Sequence, residues 1–106
     1  MIQLKYSTDW NQKLQCPVHS TFRLKNEIFK KGMHVNEILV KGKQEIFLGI
    51  AEIIEIYDMK FDDIPLCVAL ADTGLDIRKF KGLIRTIYKN FDYDNQIFYW
   101  IWLKRN

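Results

Sequence analysis

The segment EIFLGIAEIIEIY, residues 45–57, restricts the fold more than any other part of this chain. Its first half is apolar at both odd and even positions, which predicts a β-strand buried on both faces. Glu52 and Glu55 fall on opposite parities, so the alternation slips between them and indicates a β-bulge. Gly49 is expected to mark a close backbone approach or the corner of a barrel.

Shorter patterns on either side of this strand predict the remaining elements. Strands are predicted at residues 2–6, 18–24, 33–40 and 96–105, and helices at 7–16, 62–74 and 77–91. The last strand is apolar on both parities, so we expect it to close a barrel rather than lie at an open edge. The predicted fold class is α+β: a small β-barrel with a short N-terminal helix and a two-helix insertion before the last strand.

The ends of the two inserted helices have their own local signals. Asp62 or Asp63 is expected to cap the first helix, with Pro65 in its first turn and Gly74 at its end. Asp76 is expected to cap the second helix in the same way.

The composition narrows the class of protein. A chain of 106 residues that is 48% hydrophobic predicts one folded domain spanning residues 1–106. No segment approaches the roughly 18 consecutive apolar residues of a membrane helix, and the N-terminal residues lack a signal-peptide pattern. We therefore expect a cytoplasmic protein with no membrane partner. Cys16 and Cys67 are expected to be reduced and structural. His19 and His34 have no further ligands at metal-binding spacing, so no metal or cofactor is expected.

The short stretch HSTFR, residues 19–23, is unusually polar for a predicted strand. His19, Ser20, Thr21 and Arg23 surround the single apolar Phe22. Such polarity is typical either of a solvated strand edge or of the floor of a binding site, and the pattern alone leaves both alternatives open.

A series of weak motifs in a fixed order resembles the ASCH domain of the PUA-like superfamily. The resemblance covers roughly residues 9 to 104. Thr21 and Arg23 match a T-x-R motif that ends a strand, and Gly32 matches the turn that follows. Gly49, Ala51 and Ile53 match a G-x-A-x-I core strand, and residues 69–74 approximate the family's helix end. The resemblance implies a PUA-like barrel.

The resemblance also implies a function, which is the binding of RNA or of a modified nucleoside or nucleotide in a cleft between barrel and helices. The residues expected to bind the ligand are Thr21, Arg23, His19, Trp10 and Asp72. Those expected to contact phosphate, if their stripe on the last helix borders the cleft, are Arg78, Lys81 and Arg85. This stripe is also typical of a solvated helix face. Arg23 has an alternative role, an ion pair with Asp72 or Glu52.

One branch of the family consists of amidohydrolases that remove the acetyl group from acetylated cytidine, and this activity is the alternative function. By resemblance, Thr21 would be the nucleophile and Asp72 the acidic residue. The family's lysine, three residues before the threonine, is replaced here by Val18. A threonine nucleophile needs a neighbouring base, and Lys13 or His19 would have to supply it. A protein–protein adaptor is a third hypothesis, which no motif supports.

Overall fold

The computed structural model describes residues 1–105 as a mixed α+β structure built on one five-stranded sheet. The strands are β1 (Gln3–Tyr6), β2 (Val18–Leu24), β3 (His34–Lys41), β4 (Gln44–Lys60) and β5 (Ile97–Arg105). Two α-helices, α1 (Leu66–Asp72) and α2 (Ile77–Ile87), lie between β4 and β5, and 3-10 helices span Trp10–Gln15 and Phe61–Asp63. The predicted α+β class and the two-helix insertion before the last strand are confirmed.

The strand order is β1-β3-β4-β5-β2, and strand pairing does not close this sheet into a barrel. β1 runs parallel to β3, whereas all other neighbouring strands are antiparallel. β5 is confirmed as an interior strand. It pairs with β4 and β2 and does not close the predicted barrel. The edge strands β1 and β2 are linked by a side chain, because Arg23 Nη2 donates a hydrogen bond to the Lys5 carbonyl oxygen.

The long strand β4 contains the predicted irregularity but is less buried than predicted. The register against β5 shifts between Ile53 and Glu55, which confirms the bulge. The prediction of burial on both faces of its first half is wrong, since Phe47 is 61% exposed and Ile46 is 38% exposed. These residues are exposed because β5 does not extend as far as the first half of β4. The last pair between the two strands is Ala51 with Arg105. Residues before that point pair only with β3.

Gly49 marks a close approach of a side chain, whereas a close backbone approach or a barrel corner was predicted. Its φ is +140°, a conformation that favours glycine. A Cβ atom at this position would lie 3.0 Å from Cδ of Arg105. The neighbour is therefore a side chain from the end of β5, and no barrel corner is found here.

Local chemistry explains where the helices begin and end. α1 begins at Leu66 with Pro65 as its N-cap residue, so the predicted caps Asp62 and Asp63 are wrong. Both aspartates lie in the separate 3-10 helix, because a proline keeps the residue before it extended and so interrupts the helical backbone there. The capping of α2 by Asp76 is confirmed, since its Oδ1 accepts a hydrogen bond from the Lys79 backbone N–H at 2.9 Å.

Two clusters of buried apolar residues lie in the protein. One consists mainly of sheet residues, including Leu4, Val35, Ile53 and Ile101. The other joins α1 and α2 to β5 through residues such as Val68, Phe80 and Phe98. Of the helices described within residues 1–105, none is long and apolar enough to cross a membrane.

Candidate functional site

A cavity of about 250 Å³ lies where the N-terminal segment and β2 face α2. Its polar lining consists of Lys5, Ser7, Thr8, Lys13, Thr21, Arg23 and Asp72. Its aromatic and aliphatic lining consists of Tyr6, Trp10, Phe22, Phe80, Leu83, Ile84, Ile87, Tyr88 and Phe98. Four of the residues predicted to bind a ligand, Trp10, Thr21, Arg23 and Asp72, therefore share one cavity with Lys13.

Lys13 and Asp72 form an ion pair inside this cavity. Lys13 Nζ lies 2.6 Å from Asp72 Oδ1 and 2.6 Å from the Ser20 carbonyl oxygen, and it donates to both. The same Asp72 oxygen accepts a hydrogen bond from the Phe22 backbone N–H at 3.2 Å. Burial lowers the pKa of Lys13 below its ordinary value, although the Asp72 carboxylate opposes this change. The pair thus holds a partly desolvated amine beside the backbone of β2, one residue before Thr21.

A strained turn places Lys13 and Trp10 in the lining. Asn11 and Gln12 have φ of 52° and 57°, in the left-handed region that non-glycine residues rarely adopt. Asn11 Nδ2 donates a hydrogen bond to the Thr73 carbonyl oxygen at 3.1 Å, which connects the turn to the end of α1. Such backbone strain persists only where surrounding contacts enforce it, and it is concentrated at functional sites.

Arg23 crosses from β2 towards β1. Its Nε donates to Thr21 Oγ1 at 3.2 Å, and its guanidinium carbon lies 5.0 Å from the centre of the Tyr6 ring. Burial lowers the pKa of Arg23 below its ordinary value. Neither Asp72 nor Glu52 forms the ion pair that was one alternative for this residue. Across residues 1–105, no carboxylate lies within 4.0 Å of the Arg23 nitrogens.

His19 does not line the cavity but lies in a buried polar network around Glu37. His19 Nε2 is 2.6 Å from Glu37 Oε2, and the Tyr6 hydroxyl donates to the same oxygen at 2.5 Å. Arg105 Nε donates to the other oxygen at 3.0 Å. Burial raises the pKa of Glu37, but the hydrogen bonds from His19 and Tyr6 and the nearby positive charges outweigh it and leave that pKa below its ordinary value. Burial, with a contribution from Glu37, raises the pKa of Tyr6 well above its ordinary value.

The predicted phosphate contacts Arg78, Lys81 and Arg85 are not part of the cavity lining. Lys81 Nζ and the guanidinium carbon of Arg85 lie 5.2 Å and 4.9 Å from the centre of the Phe61 ring. A contact between these side chains and phosphate stays a prediction.

Sequence reasoning missed some residues around the site. The Tyr6 ring contacts the Arg23 guanidinium. In the sequence, however, Tyr6 is an ordinary position of a short predicted strand. The α2 residues Phe80, Ile84 and Ile87 form a regular apolar stripe, which predicts core packing and gives no sign of a cavity. Glu37 interrupts the alternation of apolar and polar residues in β3. A charged residue at an apolar position could have indicated a buried polar network there.

The described residues contain no cluster of three or more potential metal ligands. Comparison of the chain with known protein families, with curated proteins and with solved structures found no match.

Proposed function

We propose that the cavity binds a nucleoside or nucleotide, either free or as part of RNA, and that the chain is an ASCH-type member of the PUA-like superfamily. The observation that carries the proposal is the convergence of Thr21, Arg23, Asp72 and Trp10 on one cavity. The motif resemblance points to Thr21, Arg23 and Asp72, and Trp10 was predicted separately as an aromatic residue on which a base can stack. These residues come from separate parts of the chain.

The chemistry of the lining suits such a ligand. Trp10 and Tyr88 provide aromatic faces on which a base can stack, while Thr21 and Asp72 provide hydrogen-bonding groups for its polar edge. A concave site with an apolar wall and a few converging polar groups is the usual form of a small-molecule site.

Titration calorimetry with cytidine tests the proposal. Stacking on an aromatic side chain contributes about 1–3 kcal/mol per base, so we expect Trp10→Leu to weaken binding by that amount. Thr21→Val removes one hydroxyl and is expected to weaken binding as well. Thr86→Val is the matched control, since Thr86 is an exposed residue of α2 that does not line the cavity. Cytidine binding that is absent, or that is equal in the wild type and both cavity variants, would refute the proposal.

A second candidate, an amidohydrolase acting on acetylated cytidine, is favoured by the position of Lys13. The resemblance expects a lysine where this chain has Val18, which is 44% exposed and does not line the cavity. Lys13 enters the cavity from the neighbouring 3-10 helix, and its Nζ bonds to the carbonyl of Ser20, directly before Thr21. A lowered pKa increases the fraction of neutral amine, which is the form that can act as a base.

In this reaction the neutral Lys13 amine takes the proton of the Thr21 hydroxyl as Thr21 Oγ1 attacks the acetyl carbonyl carbon. The bond between that carbon and N4 of cytidine breaks, and Lys13 returns the proton to the leaving nitrogen. Water then hydrolyses the acetyl ester on Thr21, which releases acetate and restores the hydroxyl. Asp72 keeps the Lys13 amine in position through the 2.6 Å contact.

Release of acetate from N4-acetylcytidine tests this candidate. We expect turnover that is lost in Thr21→Ala and in Lys13→Met but kept in Lys89→Met, a control at an exposed lysine that does not line the cavity. Turnover should rise with pH, because the neutral form of Lys13 is the active one. An enzyme that stays active in Lys13→Met would exclude this role for the lysine, and no turnover together with cytidine binding would leave a binding protein.

A further inference from the structure

The charged residues of the cavity leave one cation without a counter-ion. Lys5 is 51% exposed at its side chain and pairs with Glu45 at 3.0 Å, outside the cavity lining. Lys13 pairs with Asp72, the one carboxylate of the lining. Arg23 has no such partner, since within residues 1–105 no carboxylate oxygen lies within 4.0 Å of its nitrogens.

The Arg23 guanidinium also has hydrogen-bonding capacity left over. It carries five N–H donors, and the protein uses Nε for Thr21 Oγ1 and Nη2 for the Lys5 carbonyl oxygen. Both acceptors are uncharged. The guanidinium carbon lies over the Tyr6 ring, 5.0 Å from its centre, so contacts to β1 and β2 hold the group in place. A partly buried cation whose protein partners are all neutral can bind an anion favourably, because removing an unpaired charge from water is unfavourable.

We propose that Arg23 binds the phosphate of a mononucleotide, whose base lies against the apolar wall formed by α2. This inference rests on the proposed function, and it narrows the ligand from nucleosides and RNA in general to one nucleotide with a terminal phosphate monoester. Guanidinium groups bind phosphate oxygens through paired, charge-assisted hydrogen bonds, which supply both affinity and orientation.

The dimensions and charges of the surroundings favour a single nucleotide over an RNA strand. A volume of about 250 Å³ is below the roughly 300–1,000 Å³ of typical small-molecule sites. A strand would need further cations along its backbone. The α2 cations Lys81 and Arg85 instead lie over the Phe61 ring and do not line the cavity.

Calorimetric titrations of the whole chain with cytidine 5′-monophosphate, cytidine, inorganic phosphate and a cytidine tetranucleotide without terminal phosphates test the inference. We expect the monophosphate to bind about 10- to 100-fold more tightly than cytidine, as charge-assisted hydrogen bonds to one group would provide. The affinity for the monophosphate should fall with salt with a log–log slope of roughly −1, because one phosphate is neutralised. The tetranucleotide should bind no more tightly than cytidine.

Substitutions connect this preference to Arg23. Arg23→Gln should abolish the difference between the monophosphate and cytidine, and Arg23→Lys should keep part of it through its charge. Lys43→Gln is the control, since Lys43 is an exposed cation of the turn between β3 and β4 that does not line the cavity. Thermal unfolding of each variant checks its folding. The comparison of ligands on the wild type still tests the inference if an Arg23 variant fails to fold.

Each outcome separates the inference from the proposed function. Equal affinities for cytidine and its monophosphate would overturn the inference and leave nucleoside binding intact, and a preference that survives Arg23→Gln would overturn it as well. Tighter binding of the tetranucleotide with a steep salt dependence would replace it by RNA binding. Arg23-dependent binding of phosphate without any binding of cytidine or its monophosphate would support the anion site and refute the nucleoside ligand. No binding of any probe would refute both.

Discussion

Replacement of Glu37 by glutamine is expected to be among the most destabilising conservative changes in this protein. The Glu37 side chain is fully buried and accepts hydrogen bonds from Tyr6, His19 and Arg105 at 2.5, 2.6 and 3.0 Å. His19 Nδ1 lies 2.9 Å from the Cys16 carbonyl oxygen, which can only accept, so this nitrogen donates its proton. Arg105 is the cation that faces the carboxylate, with its Nε against the other Glu37 oxygen.

The magnitude follows from this arrangement. Glu37→Gln keeps the side-chain volume and one hydrogen-bond acceptor, but it leaves the Arg105 guanidinium without its charge partner. Removing one member of a buried ion pair costs about 3–5 kcal/mol, which is a large part of the roughly 5–15 kcal/mol by which domains are stable. We expect urea unfolding to show this loss in the free energy of unfolding, with an unchanged denaturant slope.

The matched control is Glu55→Gln, which removes an exposed carboxylate that pairs with Lys31 at 2.9 Å. Solvent screens such a pair, so no measurable change is expected. Circular dichroism in increasing urea, recorded for the wild type and both variants, makes the comparison. A loss of less than about 1 kcal/mol in Glu37→Gln, or equal losses in the two variants, would show that charge in the Glu37 network does not stabilise the fold.

The same network predicts a pH dependence. The pKa of Glu37 in the folded protein is below its ordinary value of 4.5. The unfolded chain therefore takes up this proton first as the pH falls, so the stabilisation is complete above about 4.5 and is lost as the pH falls through the folded pKa. The wild type should lose stability in this range more steeply than Glu37→Gln, and parallel curves would contradict the assignment.

Three further changes have expected effects on the free energy of unfolding. Gly74→Ala places a Cβ atom 1.8 Å from Asn11 Nδ2 at φ +77°, whereas the control Gly32→Ala has φ +88° and no atom within 4 Å. Both should lose roughly 1–2 kcal/mol to backbone strain, and Gly74→Ala should lose more; equal losses in urea unfolding would contradict the clash. Asp76→Ala removes the N-cap of α2 and should lower the free energy of unfolding by about 1 kcal/mol. An unchanged thermal unfolding midpoint would contradict a stabilising role for this cap. Phe80 is 1% exposed, so Phe80→Ala should lower the free energy of unfolding by about 3–5 kcal/mol. A smaller loss in urea unfolding would mean that neighbouring side chains move in to fill the cavity left by the ring.

Features set by neighbouring residues were predictable from the sequence. The strand Val18–Leu24 has the predicted bounds, Asp76 caps α2, and the bulge lies between Ile53 and Glu55. Capping and alternation depend on residues a few positions apart, so a local pattern contains the information. The motif order likewise singled out Thr21 and Arg23, which lie two positions apart on one face of β2.

Contacts between distant parts of the chain were decided by the tertiary structure alone. Lys13 and Asp72 are 59 residues apart, and Glu37 and Arg105 are 68 apart. Each pair meets only because the sheet order and the placement of α1 bring separate segments together. The exposure of Phe47 likewise depends on where β5 stops pairing with β4. Residue type and spacing determine which elements form, whereas burial, the charge partner and the cavity depend on which elements pack together.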